Sequence, residues 1–165
     1  MERTLQILND LDEQGILTRY AIGGAMAAAY YLEPFATFDL DVFVTFPAMT
    51  NLLITLSPLY DVLDKRGYKS EGDCVIIEGV PVQFLPAYNA LIEEALDQAK
   101  EITYGKTRTR VVSSEHLIAI CLQTGRHKDR LRVDMFRDQA ELNLELLSEI
   151  VQRHNLEKVW KQWTN

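Results

Sequence analysis

The sequence predicts an α/β (α+β) chain: a mixed β-sheet core flanked by helices over residues 1–112, then an all-helical part over residues 113–165. Three observations carry that reading. Short apolar runs of strand type alternate with helix-patterned segments as far as Val112, whereas the segments from Ser114 onward space their apolar residues helically. With 165 residues, 47% hydrophobic and 25% charged, the composition is globular and excludes disordered and fibrous architectures. No repeat, low-complexity tract or linker interrupts the chain, so residues 1–165 are expected to form a single domain.

The elements follow in order. Glu2 to Gln14 places Leu5, Ile7, Leu8 and Leu11 on one helical face, and Gly15 supplies a stop. Ile16 to Ile22 reads as a short strand running into Gly23-Gly24. The alanine-rich run Ala25 to Leu32 is a good helix former that Pro34 ends. Phe38 to Phe46 alternates as a strand, with Phe38, Leu40, Val42 and Val44 on one face and Asp39, Asp41 and Phe43 on the other. Pro47 to Arg66 reads as helix broken at Pro58. Cys74 to Glu78 and Val80 to Leu85 read as strands about a turn at Gly79. Asn89 to Lys100 is expected to be helical, and Ile102 to Tyr104 with Thr107 to Val112 to form an edge hairpin. Ser113 or Ser114 caps Glu115 to Thr124, Gly125 interrupts, and Arg126 to Gln139 and Leu142 to Trp163 continue as helices.

Composition also bounds function. The net charge of -7 argues against a protein that coats nucleic acid, yet the charge is uneven. Residues 1–100 carry 6 basic and 15 acidic side chains, whereas residues 101–140 carry 8 basic and 5 acidic ones. Such a basic segment suits a local polyanion, a triphosphate or an RNA backbone, or else a solvated helix face with paired charges. Cys74 and Cys121 sit in apolar runs and read as reduced core thiols. No apolar stretch reaches bilayer length, so a soluble cytoplasmic protein without membrane contact is expected. The three histidines lack metal spacing; His116 is expected to be half-buried and His154 to lie on the surface near the C-terminus. Tyr30 and Tyr31 either pack in the core or border a base pocket, and Trp160 and Trp163 dock onto the core or a partner.

The informative constellation is strand, Gly23-Gly24, helix, then a strand bearing Asp39-Leu40-Asp41. Glycines between strand and helix form a tight turn, and they also leave backbone N–H groups at a helix N-terminus open to phosphate. Asp39 and Asp41 share one face of a strand that is too apolar for an exposed edge. Paired carboxylates held there supply hard oxygen ligands for a divalent cation.

The run from Ile22-Gly23-Gly24 through Thr37-Phe38-Asp39-Leu40-Asp41-Val42 resembles the signature of the DNA polymerase β-like nucleotidyltransferase superfamily. Within it, the chain looks most like the small stand-alone proteins related to AbiEii-type toxins. Those proteins carry segments similar to Glu115-His116-Leu117-Ile118-Ala119 and Gly125-Arg126-His127-Lys128-Asp129-Arg130. The resemblance spans about residues 15–140. It implies transfer of a nucleoside monophosphate from a nucleoside triphosphate to an acceptor hydroxyl on a protein, an RNA 3′ end or a small molecule such as an aminoglycoside. It also implies Mg²⁺ or Mn²⁺ on Asp39 and Asp41, triphosphate on Gly23 and Gly24, and Arg126 and Lys128 near the phosphates, oriented by Asp129. A toxin-antitoxin role with a partner protein belongs to the same implication. Two departures stand out. The position of a third carboxylate reads Gln83, which is neutral and cannot act as a base near pH 7. The helix segment Ile120-Cys121-Leu122-Gln123 also lacks a lysine that related proteins often carry. Slow chemistry on two aspartates, or binding of nucleotide or partner without turnover, are the two readings this leaves.

Overall fold

The structure, a computed structural model, describes residues 1–33, 35–47 and 56–164. The segment expected to be helical from Pro47 to Arg66 therefore lies partly outside the described residues. What is described of it is a helix over Ser57–Lys65 with Pro58 in its first turn, where a missing N–H costs nothing.

Helix α1 (Glu2–Glu13) precedes strand β1 (Arg19–Ile22), helix α2 (Gly24–Tyr31) and strand β2 (Leu40–Thr45). After α3 (Ser57–Lys65) come β3 (Lys69–Glu71), β4 (Cys74–Ile77), β5 (Val80–Pro86) and α4 (Ala90–Asp97). The chain then forms β6 (Lys100–Tyr104) and β7 (Thr107–Val111), and closes with α5 (Ser114–Thr124), α6 (His127–Gln139), α7 (Leu144–Arg153) and α8 (Glu157–Thr164). The strands build one mixed sheet in the order β3-β4-β5-β2-β1-β7-β6. The expected mixed α/β core with helices after residue 113 is what the structure shows.

Strand β2 lies between β1, antiparallel, and β5, parallel. A strand bonded on both edges is buried on its apolar face: Leu40, Val42 and Val44 are fully enclosed. Phe38, expected to share that face, is 84% exposed because the strand begins at Leu40. Buried side chains form one contiguous apolar cluster running from Leu5 to Leu156. Trp160 and Trp163 pack against it, as does Tyr31, whose hydroxyl donates to the Val112 carbonyl at 3.1 Å.

Four local expectations need correction. The helix opening at Asn89 ends at Asp97, not Lys100, because Lys100 pairs with Val111 as the start of β6. Strand β3, exposed throughout, carries no apolar periodicity and was not expected. The expected helix from Leu142 to Trp163 is two helices, broken where Asn155 adopts a left-handed φ of 58°, a conformation asparagine tolerates better than most. Both histidines are more enclosed than expected: His116 is fully buried, and the His154 side chain is 10% exposed.

Those histidines meet on Glu94 of α4. One carboxylate oxygen lies 2.8 Å from His154 Nε2; the other lies 2.5 Å from Arg153 and 3.4 Å from His116 Nε2. A fully buried acid, Glu115, accepts from the Asn143 backbone N–H at 2.9 Å and so fixes the start of α7. Burial raises the Glu94 carboxyl, but the bonds from His154 and His116 and the charge of Arg153 outweigh it and hold the group below its usual range. Burial also holds His116 below its ordinary value. Both shifts are depressions, so their stabilisation is present above the unfolded-state values and is lost as pH falls through the folded ones. The thermal midpoint is expected to fall below about pH 6.5, the ordinary histidine value. Glu94→Gln should cost about 1–3 kcal/mol at neutral pH. It should steepen the decline near pH 6.5, because the Glu94 carboxylate favours the His116 cation, and remove the part of the decline that sets in below the ordinary carboxylate range. Thermal melts of both proteins across the acid range check this.

Candidate functional site

The turn that joins β1 to α2 is forced by what faces it. Gly24 has φ +56°, a left-handed conformation in which other residues are strained. A Cβ there would overlap the Asp41 carboxylate outright, and a Cβ on Gly23 would overlap the Phe43 ring. The Gly23 N–H donates to the Asp41 carbonyl at 2.9 Å, so the antiparallel pairing of β1 with β2 continues into the turn. The two glycines therefore let the N-terminus of α2 lie directly on the Asp41 side chain. Both the anion-receptive backbone and the carboxylate are held by the sheet.

Asp41 is half-buried on β2; Asp39 is exposed, immediately before the strand. The parallel register sets Asp41 beside Gln83 and Phe43 beside Leu85. These four side chains and Gly24 line one side of a pocket of about 260 Å³. Helices α4, α5 and α6 supply the other side, with Ile92, Leu117, Cys121, Thr124, Arg126 and Arg132. Tyr88, 64% exposed, stands in the same lining just ahead of α4. Glu78, the other carboxylate near β5, accepts from Tyr68 at 3.0 Å and does not line this pocket.

Electrostatics divide the pocket. Burial pushes the Asp41 carboxyl above its usual range and the charge of Asp39 pushes it further, while Arg132, Lys128 and Arg126 pull it back. The cations of α6 and of its N-cap thus act across the pocket on Asp41 of β2. Arg126 is held rigidly. Its Nε donates to Asp129 Oδ2 at 2.7 Å and its Nη2 to Oδ1 at 3.1 Å, while Thr124 Oγ1 donates to Oδ2 at 2.7 Å. The Asp129 side chain is buried and that of Arg126 is 57% exposed. Asp129 is therefore a positioning group beneath Arg126, its oxygens taken up by these bonds, which hold it ionised below its usual range against the opposing effect of burial. Lys128 is exposed on the first turn of α6.

The structure thus brings together Gly24, Asp41, Gln83, Arg126 and Asp129 in one pocket, with Asp39 and Lys128 acting on Asp41 from beside it. Tyr30 and Tyr31 do not line that pocket. Sequence reasoning missed Arg132, Thr124 and Tyr88, and assigned Cys121 to the core alone. Arg132 was findable: it follows Lys128 by four residues, hence lies on the same helical face. Tyr88 carries no such signal, since it sits in the loop between β5 and α4.

The donors suit a hard cation in a limited way. Two carboxylates and a neutral carboxamide are all oxygen ligands, and a desolvated Asp41 beside a like charge gains from a divalent ion. Among the described residues, however, no group of three or more His, Cys, Asp or Glu side chains gathers to hold a metal. The residues fit an ion whose coordination is completed by substrate phosphates and water, the usual manner of Mg²⁺.

No family model matches the chain, and no curated protein matches it in sequence. Solved structures do match in fold. An antigenic nucleotidyltransferase-like protein from Paracoccidioides brasiliensis superimposes with a TM-score of 0.56 at 15% identity, over 96% of this chain and 90% of that one. The antibiotic-resistance factor ANT(2'')-Ia superimposes with a TM-score of 0.54 at 16% identity, over 98% of this chain and 97% of that one.

Gly24→Ala tests the contact on which the pocket rests. Left-handed strain and overlap with Asp41 are expected to cost about 1–3 kcal/mol or more, read as a lower thermal midpoint. Gly15→Ala, at a left-handed glycine with no neighbour in reach of a Cβ, should cost only the strain. The chain therefore has the fold of nucleotidyltransferase-like proteins, with the Gly23-Gly24 turn seated on Asp41.

Proposed function

We propose that the protein is a nucleotidyltransferase that moves a nucleoside monophosphate from a Mg²⁺-bound (or Mn²⁺-bound) nucleoside triphosphate to an acceptor oxygen. One observation carries the reading: the Gly23-Gly24 turn lies against Asp41, so an anion cradle and a carboxylate pair meet, with the cations of α6 facing both. The fold shared with nucleotidyltransferase-like structures supports it.

In this reading the backbone at the start of α2 and the side chains of Arg126 and Lys128 bind the triphosphate. Asp129 keeps the Arg126 fork aimed, so no rotamer entropy is lost when phosphate arrives. Asp39 and Asp41 would hold the metal, which when bound offsets charge developing on the phosphate oxygens. Apolar walls at Phe43, Leu85 and Ile92, with Tyr88 beside them, exclude water and offer a surface for a base. The acceptor oxygen forms its bond to the α-phosphorus while the bond to the β-phosphate oxygen breaks and pyrophosphate leaves.

The acceptors that the sequence resemblance implies are a protein hydroxyl, an RNA 3′ end and a small molecule. A place among AbiEii-type proteins, with a toxin-antitoxin partner, belongs to the same proposal. So does a cytoplasmic setting, which suits triphosphate chemistry and the free thiols of Cys74 and Cys121. Among the described residues no helix is long and apolar enough to cross a membrane. A second reading, a nucleotide-binding or partner-binding module without turnover, is favoured by one observation: Gln83 stands beside Asp41 where a third carboxylate would complete the metal site.

The Asp39→Asn, Asp41→Asn double variant is expected to abolish Mg²⁺-dependent triphosphate binding while keeping the fold, because like-charge repulsion disappears. Calorimetry with Mg·ATP, alongside a thermal melt, checks this; unchanged affinity would overturn the assignment. Gln83→Asp is expected to raise Mg²⁺ affinity and to lower the stability of the metal-free protein, since a third carboxylate joins two that repel. Mg²⁺ titration and melts in chelator measure both, and transfer of label from α-labelled triphosphates separates an enzyme from a binding module.

A further inference from the structure

Two features of the pocket stand outside the reaction as drawn. The first is Arg132. It sits one helical turn beyond Lys128, half-buried, and lines the pocket from the α6 side. Its guanidinium reaches the Cys121 thiol, and among the described residues it has no carboxylate within ion-pair distance. Arg126, by contrast, is engaged by both oxygens of Asp129. The charge of Arg132 acts on Asp41 across the pocket, but with no carboxylate in ion-pair contact its planar donor fork stays available for an oxyanion.

The second feature is that no described residue lining the pocket is free to act as a base. An alcohol must lose a proton as it attacks, and a proton acceptor has to stand within hydrogen-bond reach of it. Gln83 beside Asp41 takes no proton. Asp129 lines the pocket as well, but its oxygens already accept from Thr124 and Arg126. Asp39 and Asp41 are committed to the metal in the proposed reaction. Cys121 does not serve either: burial pushes its thiol up to about 11, so it stays protonated at neutral pH.

We propose that the acceptor is an oxyanion already ionised at neutral pH, a phosphomonoester or a carboxylate, bound by Arg132 in the pocket beside Gln83. The proposal rests on the nucleotidyl-transfer reading of the same site. The balance is simple. A lone pair on the acceptor oxygen forms the new bond to the α-phosphorus, the α–β phosphoanhydride bond breaks, and pyrophosphate departs with its electron pair. No proton moves, so no base is required. A phosphomonoester yields a new phosphoanhydride; a carboxylate yields an acyl phosphate. The neutral Gln83 then has a role, since its carboxamide can donate to an incoming anion that a carboxylate would repel.

The test loads the full-length protein with Mg²⁺ and a saturating α,β-methylene analogue of ATP or GTP, then titrates inorganic phosphate, acetate and glycerol by calorimetry. Phosphate or acetate is expected to bind on top of the nucleotide, with glycerol silent. Arg132→Gln should weaken that second binding about tenfold or more, the scale of a lost charge-assisted bond, and change nucleotide affinity less than threefold. Arg132→Lys should retain part of it, and thermal melts confirm that both variants fold. With α-labelled ATP, phosphate should give labelled ADP, whereas acetate should give an adenylate that hydroxylamine traps; whichever forms names the acceptor. Anion binding that only competes with nucleotide would place Arg132 in the triphosphate cradle and overturn the inference. So would label passing to glycerol, to a serine peptide or to an RNA 3′ end at a rate that Arg132→Gln leaves unchanged. Nucleotide bound with no second anion sinks this inference alone. No nucleotide bound sinks the underlying reading, and this one with it.

Discussion

The close approach of the Gly24 backbone to Asp41 is the constraint on which the site depends. It is possible only because neither Gly23 nor Gly24 carries a Cβ, and because Gly24 takes a left-handed φ. Pairing of β1 with β2 brings the turn to Asp41, and pairing of β2 with β5 brings Gln83 to the same place. The sheet therefore fixes backbone donors, carboxylate and carboxamide before any ligand arrives. That is the preorganisation from which electrostatic catalysis draws.

The charges are placed by a different logic. The acids come from strand β2 and the residue before it, the cations from α6, and the two sets meet across the pocket. Asp41 sits where burial and Asp39 disfavour its ionised form, while Asp129 sits where bonds from Arg126 and Thr124 favour it. Two aspartates in one pocket thus have opposite characters. Among the described residues Asp41 has no ion-pair partner to settle its charge, whereas Asp129 accepts four hydrogen bonds, three from Arg126 and one from Thr124.

Much of this was legible in the sequence, and the reasons differ by residue. Asp41 and the glycine turn could be found because strand alternation and glycine chemistry are local rules. Gln83 could be placed opposite them because alternation along β5 is local too, although its register with Asp41 needs the parallel pairing to be known. Asp39 was placed on the strand but lies just before it, since the ladder with β5 begins at Leu40 and residues 35–39 belong to no strand. The fate of His154 was illegible: its partner Glu94 is 60 residues away, and no local pattern marks that meeting. Strand β3, wholly exposed, offers no hydrophobic pattern at all, and its existence depends on β4 beside it. Tyr88 escaped for a similar reason, because loop residues acquire meaning only from the elements that surround them.

The meeting of Arg153, His116 and His154 on Glu94 has a consequence for how the molecule opens. Glu94 belongs to α4 and His116 to α5, the helices that carry Ile92 and Leu117 into the pocket wall, while Arg153 and His154 close α7. Helix α7 therefore cannot separate from the body without uncovering a buried histidine and stranding a carboxylate that loses the Arg153 guanidinium and the His154 ring. Local fluctuations of α7 and of the pocket wall then belong to one cooperative unit. Amide protons in α4, α5 and α7 should share a common exchange free energy, while α8, which has no fully buried residue, frays separately. The wall that faces a ligand is in this way as durable as the apolar cluster behind it, although it lies at a surface.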